Sequence, residues 1–131
     1  MLLHLNIIGC VLLCLALLHG IFPRYFRWRE ELAGLSLMNR QMMTIHTFFI
    51  AVTVAGMGVL CLVAGDDLLN TPLGRKVCFG FAFFWALRLG IQFFGYSPQL
   101  WRGKRFETAV HIVFTLLWAY LTVVFLLAYF Y

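Results

Sequence analysis

Polar side chains interrupt long apolar stretches of this 131-residue sequence at only a few points. Two of them, Arg88 and Gln92, lie one helical turn apart within the aromatic string FFWALRLGIQFF (residues 83–94). An ionisable group in the middle of a membrane span costs upwards of about 2.5 kcal/mol, so such groups usually face the interior of a bundle and find partners. We therefore expect Arg88 to face protein, with Glu107 as its partner, either directly or through Gln92.

Three histidines are predicted to lie at a similar depth, near the same side of a membrane. His19 comes close to the end of the first apolar stretch, whereas His46 and His111 lie about one turn into the second and the fourth. Glu107 shares a helical face with His111 because the two are four residues apart. This convergence predicts a polar site in one half of a helical bundle.

A b-type haem is the first ligand that these residues suggest, because two neutral histidines on facing helices can bind its iron. His46 and His111 form the best pair, since RQMMTIHTFF (40–49) and RFETAVHIVF (105–114) both place a histidine six residues after an arginine. The predicted cofactor-binding residues are then His46 and His111 as axial ligands, His19 as an accessory ligand, and Arg88 and Gln92 near a haem propionate.

Two other ligands stay open. Three imidazoles and a carboxylate suit a zinc, iron or copper ion, and the corresponding set is His19, His46, His111 and Glu107. A quinone or a lipid headgroup is the third alternative, since histidine and arginine bind oxygens while aromatic rings flank the ligand. The sequence contains no nucleophile elbow, P-loop or dinucleotide fingerprint, so no motif indicates an enzyme.

The composition indicates a membrane protein. Hydrophobic residues make up 63% of the chain and charged residues 11%, against about half and about a quarter in soluble domains. A spanning helix needs about 20 apolar residues, and four stretches qualify, near 3–22, 42–64, 77–96 and 107–130. The predicted fold is all-α, a polytopic membrane protein in which residues 1–131 form one antiparallel four-transmembrane-helix bundle.

The distribution of charge predicts how the spans are oriented. Most of the ten Lys and Arg follow the first and third spans, namely Arg24, Arg27, Arg29, Arg40, Arg102, Lys104 and Arg105. Because Lys and Arg mark cytoplasmic loops, both termini are expected in the periplasm. The basic loops would contact anionic lipid headgroups, and the net charge of +5 reflects them rather than a nucleic-acid surface.

One short amphipathic helix is expected at the membrane surface, near residues 24–36. Tyr25, Trp28, Leu32 and Leu35 recur there at spacings of three and four, which is typical of an interfacial helix. Ser36 is expected to cap the second span, and the Gly56-Met57-Gly58 string predicts close helix packing within that span.

The strings WREELAGLSLMNRQMMTIHTFF, FWALRLGIQFFGYS and RFETAVHIVFTLLWAY resemble small four-helix membrane proteins of bacteria. This resemblance covers nearly the whole chain and implies a bacterial cytoplasmic membrane and four spans, but no activity or cofactor. Four helices with inward histidines also resemble, in outline, the b561-type cytochromes. Those proteins carry histidines for haems at both membrane faces, whereas the N-terminal side here has His4 alone, so one haem is the most this chain could hold.

Three functions follow as alternatives. The first is a small redox or cofactor-binding protein that holds a haem, a metal or a quinone for electron transfer. The second is a non-enzymatic accessory or assembly subunit, in which the polar residues are structural and the basic loops dock a membrane-complex partner or anionic lipid. The third is a minimal transporter that works as a homodimer, with Arg88 and Glu107 as its proton or substrate site.

Overall fold

The computed structural model describes residues 1–25, 27–94 and 105–131, and these residues contain helices and short connections without a β-strand. The predicted all-α class is therefore confirmed for the described part of the chain. In chain order the helices are α1 (Leu2–Tyr25), α2 (Trp28–Glu31), α3 (Leu37–Val63), α4 (Gly65–Asn70), α5 (Pro72–Phe94) and α6 (Arg105–Phe130).

Four of these helices, α1, α3, α5 and α6, are long and apolar enough to cross a membrane. Hydrocarbon offers a backbone no hydrogen-bond partners, and a helix bonds all of its own N–H and C=O groups except those at its ends. The chain is accordingly an integral membrane protein that contacts the lipid bilayer through apolar helices.

The helices extend beyond the apolar stretches that predicted them. α3 begins well before residue 42 because the Ser36 Oγ accepts a hydrogen bond from the Asn39 N–H at 3.2 Å, which confirms the predicted cap. α5 begins at Pro72, a position where proline loses no helical hydrogen bond, and the Gly74 N–H donates to the Thr71 Oγ at 2.9 Å. Residues 95 and 96, the predicted end of the third span, lie outside the described residues.

The segment near 24–36 is not one continuous helix. α1 runs through Pro23 to Tyr25, and Arg27 then takes a left-handed backbone conformation with φ 53° and ψ 49°. A non-glycine residue in this conformation interrupts a right-handed helix. The described helix after it, α2, spans four residues, so a longer amphipathic helix here stays a prediction.

The chain divides into two compact units, and each is a pair of long helices in contact. In the first hairpin, residues 2–65, α1 packs against α3. The second hairpin comprises residues 66–131 together with Met1, and α5 packs there against α6.

Two glycines bring α1 and α3 close together in the first hairpin. A Cβ added at Gly58 would lie 2.8 Å from the Gly9 carbonyl oxygen, and one added at Gly9 would lie 2.9 Å from the Gly58 carbonyl oxygen. Small residues allow such approach in membranes, where packing drives helix association. Gly58 confirms the predicted close contact, whereas a Cβ at Gly56 would meet no atom within 4 Å.

Aromatic rings join α5 to α6 in the second hairpin. The contacting pairs are Phe79–Tyr129, Phe81–Phe125 and Trp85–Trp118, with ring centroids 5.2, 5.2 and 5.1 Å apart. Residue numbers rise along α5 as they fall along α6, so the two helices run in opposite directions within this unit. The polar residues Arg88 and Gln92 continue the same row toward the end of α5.

We expect Gly58→Ala to destabilise the first hairpin and Gly56→Ala to leave it intact. The new methyl group at residue 58 would lie too close to the Gly9 carbonyl oxygen, and overpacking of this kind costs about 1–3 kcal/mol. At residue 56 the added methyl meets open space, and alanine is favoured over glycine within a helix by about 1 kcal/mol. Denaturant titration of the helical circular dichroism signal in mild detergent measures both effects. Equal stability of the two variants would contradict this account of α1–α3 packing.

Candidate functional site

Gln92 lies at the centre of a polar cluster in the second hairpin. Its side chain is 6% exposed, and it is the only polar residue buried this deeply among the described residues. A buried amide that lacks partners is costly, so the neighbours of Gln92 have to supply them. We call Gln92, its partners Arg88 and His111, and the ring pair Trp85 and Trp118 beside Arg88 the Arg88 cluster.

Both the oxygen and the nitrogen of the Gln92 side-chain amide make hydrogen bonds. The Arg88 Nη1 donates to Gln92 Oε1 at 3.4 Å. On the other side, Gln92 Nε2 lies 3.1 Å from His111 Nδ1 and donates to the His111 carbonyl oxygen at 3.2 Å. Arginine can only donate and a carbonyl can only accept, so two independent contacts set the same amide orientation.

This orientation determines the tautomer of His111. Because the amide nitrogen faces His111 Nδ1, that ring nitrogen must accept, and a neutral imidazole then carries its proton on Nε2. A metal-binding histidine usually has the reverse arrangement, in which one ring N–H donates to a neighbour and the other nitrogen's lone pair binds the metal. His111 therefore carries its proton on Nε2, and ligation of a haem iron through that nitrogen would require the Gln92 amide to turn.

Aromatic rings surround the charged end of the cluster. The guanidinium carbon of Arg88 lies 5.0 Å from the centroid of the Trp118 ring, within the range of a cation–π interaction. Trp118 stacks on Trp85 with an interplanar angle of 10°, and the Phe114 centroid lies 5.5 Å from that of Trp118. The ring face and the Gln92 oxygen thus both stabilise the Arg88 cation in apolar surroundings.

The two stacked indoles carry N–H groups without acceptors. Trp85 is 2% exposed and Trp118 is 5% exposed, and the Nε1 atom of each is buried with no hydrogen-bond partner among the described residues. A buried donor left unsatisfied costs about 1–3 kcal/mol, and buried indoles usually find an acceptor. The Arg88 cluster therefore contains two buried indole donors without acceptors among the described residues.

His46 and His19 lie in the first hairpin and bond within their own helices. The His46 Nδ1 lies 2.7 Å from the Met42 carbonyl oxygen, and the His19 Nδ1 lies 2.9 Å from the Leu15 carbonyl oxygen. Because a carbonyl oxygen can only accept, both Nδ1 atoms carry a proton, and in the neutral rings Nε2 has the lone pair. These two histidines have the tautomer that suits metal ligation, opposite to that of His111.

Glu107 is exposed in the first turn of α6. The described contacts of Arg88 involve Gln92 and Trp118, so its expected pairing with Glu107 stays a prediction. Within the described ranges, no three His, Cys, Asp or Glu side chains gather into a group that could hold a metal ion. Haem ligation by His46 and His111, and the metal set of His19, His46, His111 and Glu107, remain predictions that involve residues of both hairpins.

The sequence predicted Arg88, Gln92 and His111 as site residues, whereas the two indoles and Phe114 were not predicted. A signal for them exists in the spacing. Trp118 follows His111 by seven residues and Trp85 precedes Arg88 by three, so each shares a helical face with a residue already singled out.

No family model, curated protein or solved structure matches this chain. The contacts of the Arg88 cluster are therefore the basis for a functional interpretation.

We expect nitrogen-15 NMR of histidine-labelled protein to find the His111 ring protonated on Nε2 at a pH where imidazoles are neutral. Gln92→Leu removes the donor that faces Nδ1 and should abolish this preference, while the Nδ1–H tautomer of His46 should persist in the same sample as an internal control. The loss of one signal in His111→Asn assigns the resonance. Protonation of His111 on Nδ1 in the unmodified protein would show that the Gln92 amide is oriented differently.

Proposed function

We propose that this protein binds a lipid-soluble ligand of the quinone class at the Arg88 cluster, without catalysing a reaction of its own. The observation that supports this proposal is the pair of buried indole N–H groups without acceptors at Trp85 and Trp118. A quinone has two carbonyl oxygens that accept hydrogen bonds and a flat ring that packs on aromatic faces.

The donors of the cluster favour a quinone over the other two predicted ligands. The two indole N–H groups can only donate, and neither has an acceptor among the described residues. A haem iron or a metal ion binds the lone pairs of its ligands, whereas the carbonyl oxygens of a quinone accept hydrogen bonds from N–H groups. When a quinone is bound it supplies the redox chemistry, and the residues of the cluster hold its oxygens and exclude water.

A non-enzymatic accessory subunit is the second candidate function. The observation in its favour is that Gln92 connects α5 to α6 through His111, so the cluster also cross-links the second hairpin. In this alternative the polar residues stabilise the fold, and the basic loops contact a membrane-complex partner or anionic lipid. The minimal dimeric transporter has no specific contact among the described residues in its favour.

We further propose that the two hairpins assemble as an antiparallel four-helix bundle in a bacterial cytoplasmic membrane, with both termini in the periplasm. The excess of Lys and Arg around residues 24–40 and 102–105 supports this orientation. Residues 102–104 lie outside the described part of the chain.

Reporter fusions test the orientation. Alkaline phosphatase fused after Tyr131 should be active, because it folds only in the periplasm, and green fluorescent protein fused there should be dark. The same reporters inserted after Gly34 should give the opposite pair of results, because the charge distribution places that connection in the cytoplasm. A fluorescent fusion after Tyr131 would overturn the proposed orientation.

Quinone binding is measurable by equilibrium dialysis of a short-chain quinone against the protein in lipid nanodiscs. Trp118→Phe retains an aromatic ring and removes one donor, so we expect the dissociation constant to rise by roughly 2- to 12-fold, from about 0.5–1.5 kcal/mol per hydrogen bond. Trp28→Phe, in α2 of the other hairpin, is the matched control and should leave the affinity unchanged. Equal affinity of all three proteins, or no binding, would refute the quinone site.

The visible spectrum of the same sample, oxidised and then reduced with dithionite, tests the haem alternative. A Soret band that disappears in His46→Ala and His111→Ala but persists in His4→Ala would support the haem alternative instead. Loss of stability in Gln92→Leu without quinone or haem binding would support the accessory-subunit alternative.

A further inference from the structure

A basic cavity of about 600 Å³ lies at the opposite end of the second hairpin from the Arg88 cluster. Its lining includes Asn70, Thr71, Arg75, Lys76, Tyr129 and Tyr131. Arg75 and Arg88 are thirteen residues apart on α5, which separates the two sites by about 20 Å along the helix. The cavity volume falls within the range of about 300–1,000 Å³ that is typical of ligand sites.

The side chains that line this cavity carry a net positive charge. Arg75 and Lys76 contribute two cations, and none of the lining side chains is acidic. Asp66 and Asp67 are exposed on α4 nearby in the sequence but are not among the lining residues. The proposed orientation places this end of the second hairpin on the periplasmic side, where Lys and Arg are usually few. The orientation therefore does not explain the presence of Arg75 and Lys76.

Specific contacts hold the backbone of the turn before α5, which lines the cavity. The Thr71 hydroxyl donates to the Asp67 carbonyl oxygen at 2.6 Å and accepts from the Gly74 N–H at 2.9 Å. A Cβ at Gly74 would overlap the Asp67 carbonyl group, so glycine is needed for α4 to fold against α5. The short turn before α5 thereby presents Arg75 and Lys76 at the cavity in a defined position.

The neutral residues of the lining point to an amphipathic ligand. Tyr129, Phe130 and Tyr131 contribute aromatic rings to the lining, and tyrosines are enriched where lipid headgroups meet hydrocarbon. Asn70 and Thr71 add polar groups beside the two cations. Cations bind phosphate oxygens through charge-assisted hydrogen bonds, while phenyl and phenol rings contact the glycerol and acyl region.

We propose that this cavity binds the phosphate group of an anionic phospholipid. Arg75 and Lys76 hold the phosphate, and the aromatic rings of the lining contact the apolar part of the same molecule. The site is independent of the proposed quinone site, because it shares none of the residues of the Arg88 cluster.

Native mass spectrometry of protein released from nanodiscs of equal phosphatidylglycerol and phosphatidylcholine content tests this site. We expect retained phosphatidylglycerol, and a roughly 10- to 30-fold lower occupancy in the double variant Arg75→Gln/Lys76→Gln, since each cation near anionic lipid contributes about a fivefold effect. The control Arg27→Gln/Arg105→Gln removes the same charge from other exposed positions and should retain the lipid. Arg75→Lys/Lys76→Arg keeps both charges and should also retain it.

Three results would overturn the proposal. Equal lipid loss in the two neutralised double variants would show non-specific attraction of charge. Displacement of the lipid by glycerol 3-phosphate or inorganic phosphate would identify a soluble phosphate as the ligand. Unchanged occupancy in both single variants, Arg75→Gln and Lys76→Gln, would exclude the cavity even if the double variant fails to fold.

Discussion

The hydrogen-bonding demand of the Gln92 amide organises the polar part of this protein. Water is absent from hydrocarbon, so a primary amide buried there must find both a donor and an acceptor within the protein. Arg88 supplies the donor, while His111 supplies acceptors from its ring and its backbone. The same demand explains the threonines of the spanning helices, since hydroxyls such as those of Thr53 and Thr115 donate to the carbonyl oxygen four residues earlier.

The different contacts of His46 and His111 could not be predicted from the sequence. Their flanking residues match, and their predicted depths match, yet one bonds to its own helix and the other to Gln92 on a neighbouring helix. The difference depends on how each helix is rotated about its axis, which the hydrophobic pattern of a nearly all-apolar helix leaves open. The ring nitrogen that carries the proton follows from that rotation, and so does the suitability of each histidine as a metal ligand.

Other features could be predicted from the sequence because nearby residues determine them. Length and apolar composition predicted the four long helices, Ser36 predicted the start of α3, and helical spacing predicted the pairing of Arg88 with Gln92. The left-handed Arg27 was not predicted, because glycine is the residue that usually marks this conformation. The short α4 was not predicted either, because its residues were assigned to the connection between two spans. The stacked indoles were missed because aromatic residues are also the ordinary content of a membrane span.

The parallel indoles of Trp85 and Trp118 have an optical consequence. Two identical chromophores whose planes lie 10° apart and whose centroids lie 5.1 Å apart couple their transition dipoles, and they share each electronic excitation rather than absorb separately. Their strong far-ultraviolet transitions then contribute an exciton couplet to the circular dichroism, and the sign of this couplet depends on the angle between the two transition dipoles. The second hairpin thus carries an intrinsic chromophore pair that registers any change in the spacing of α5 and α6 without a label.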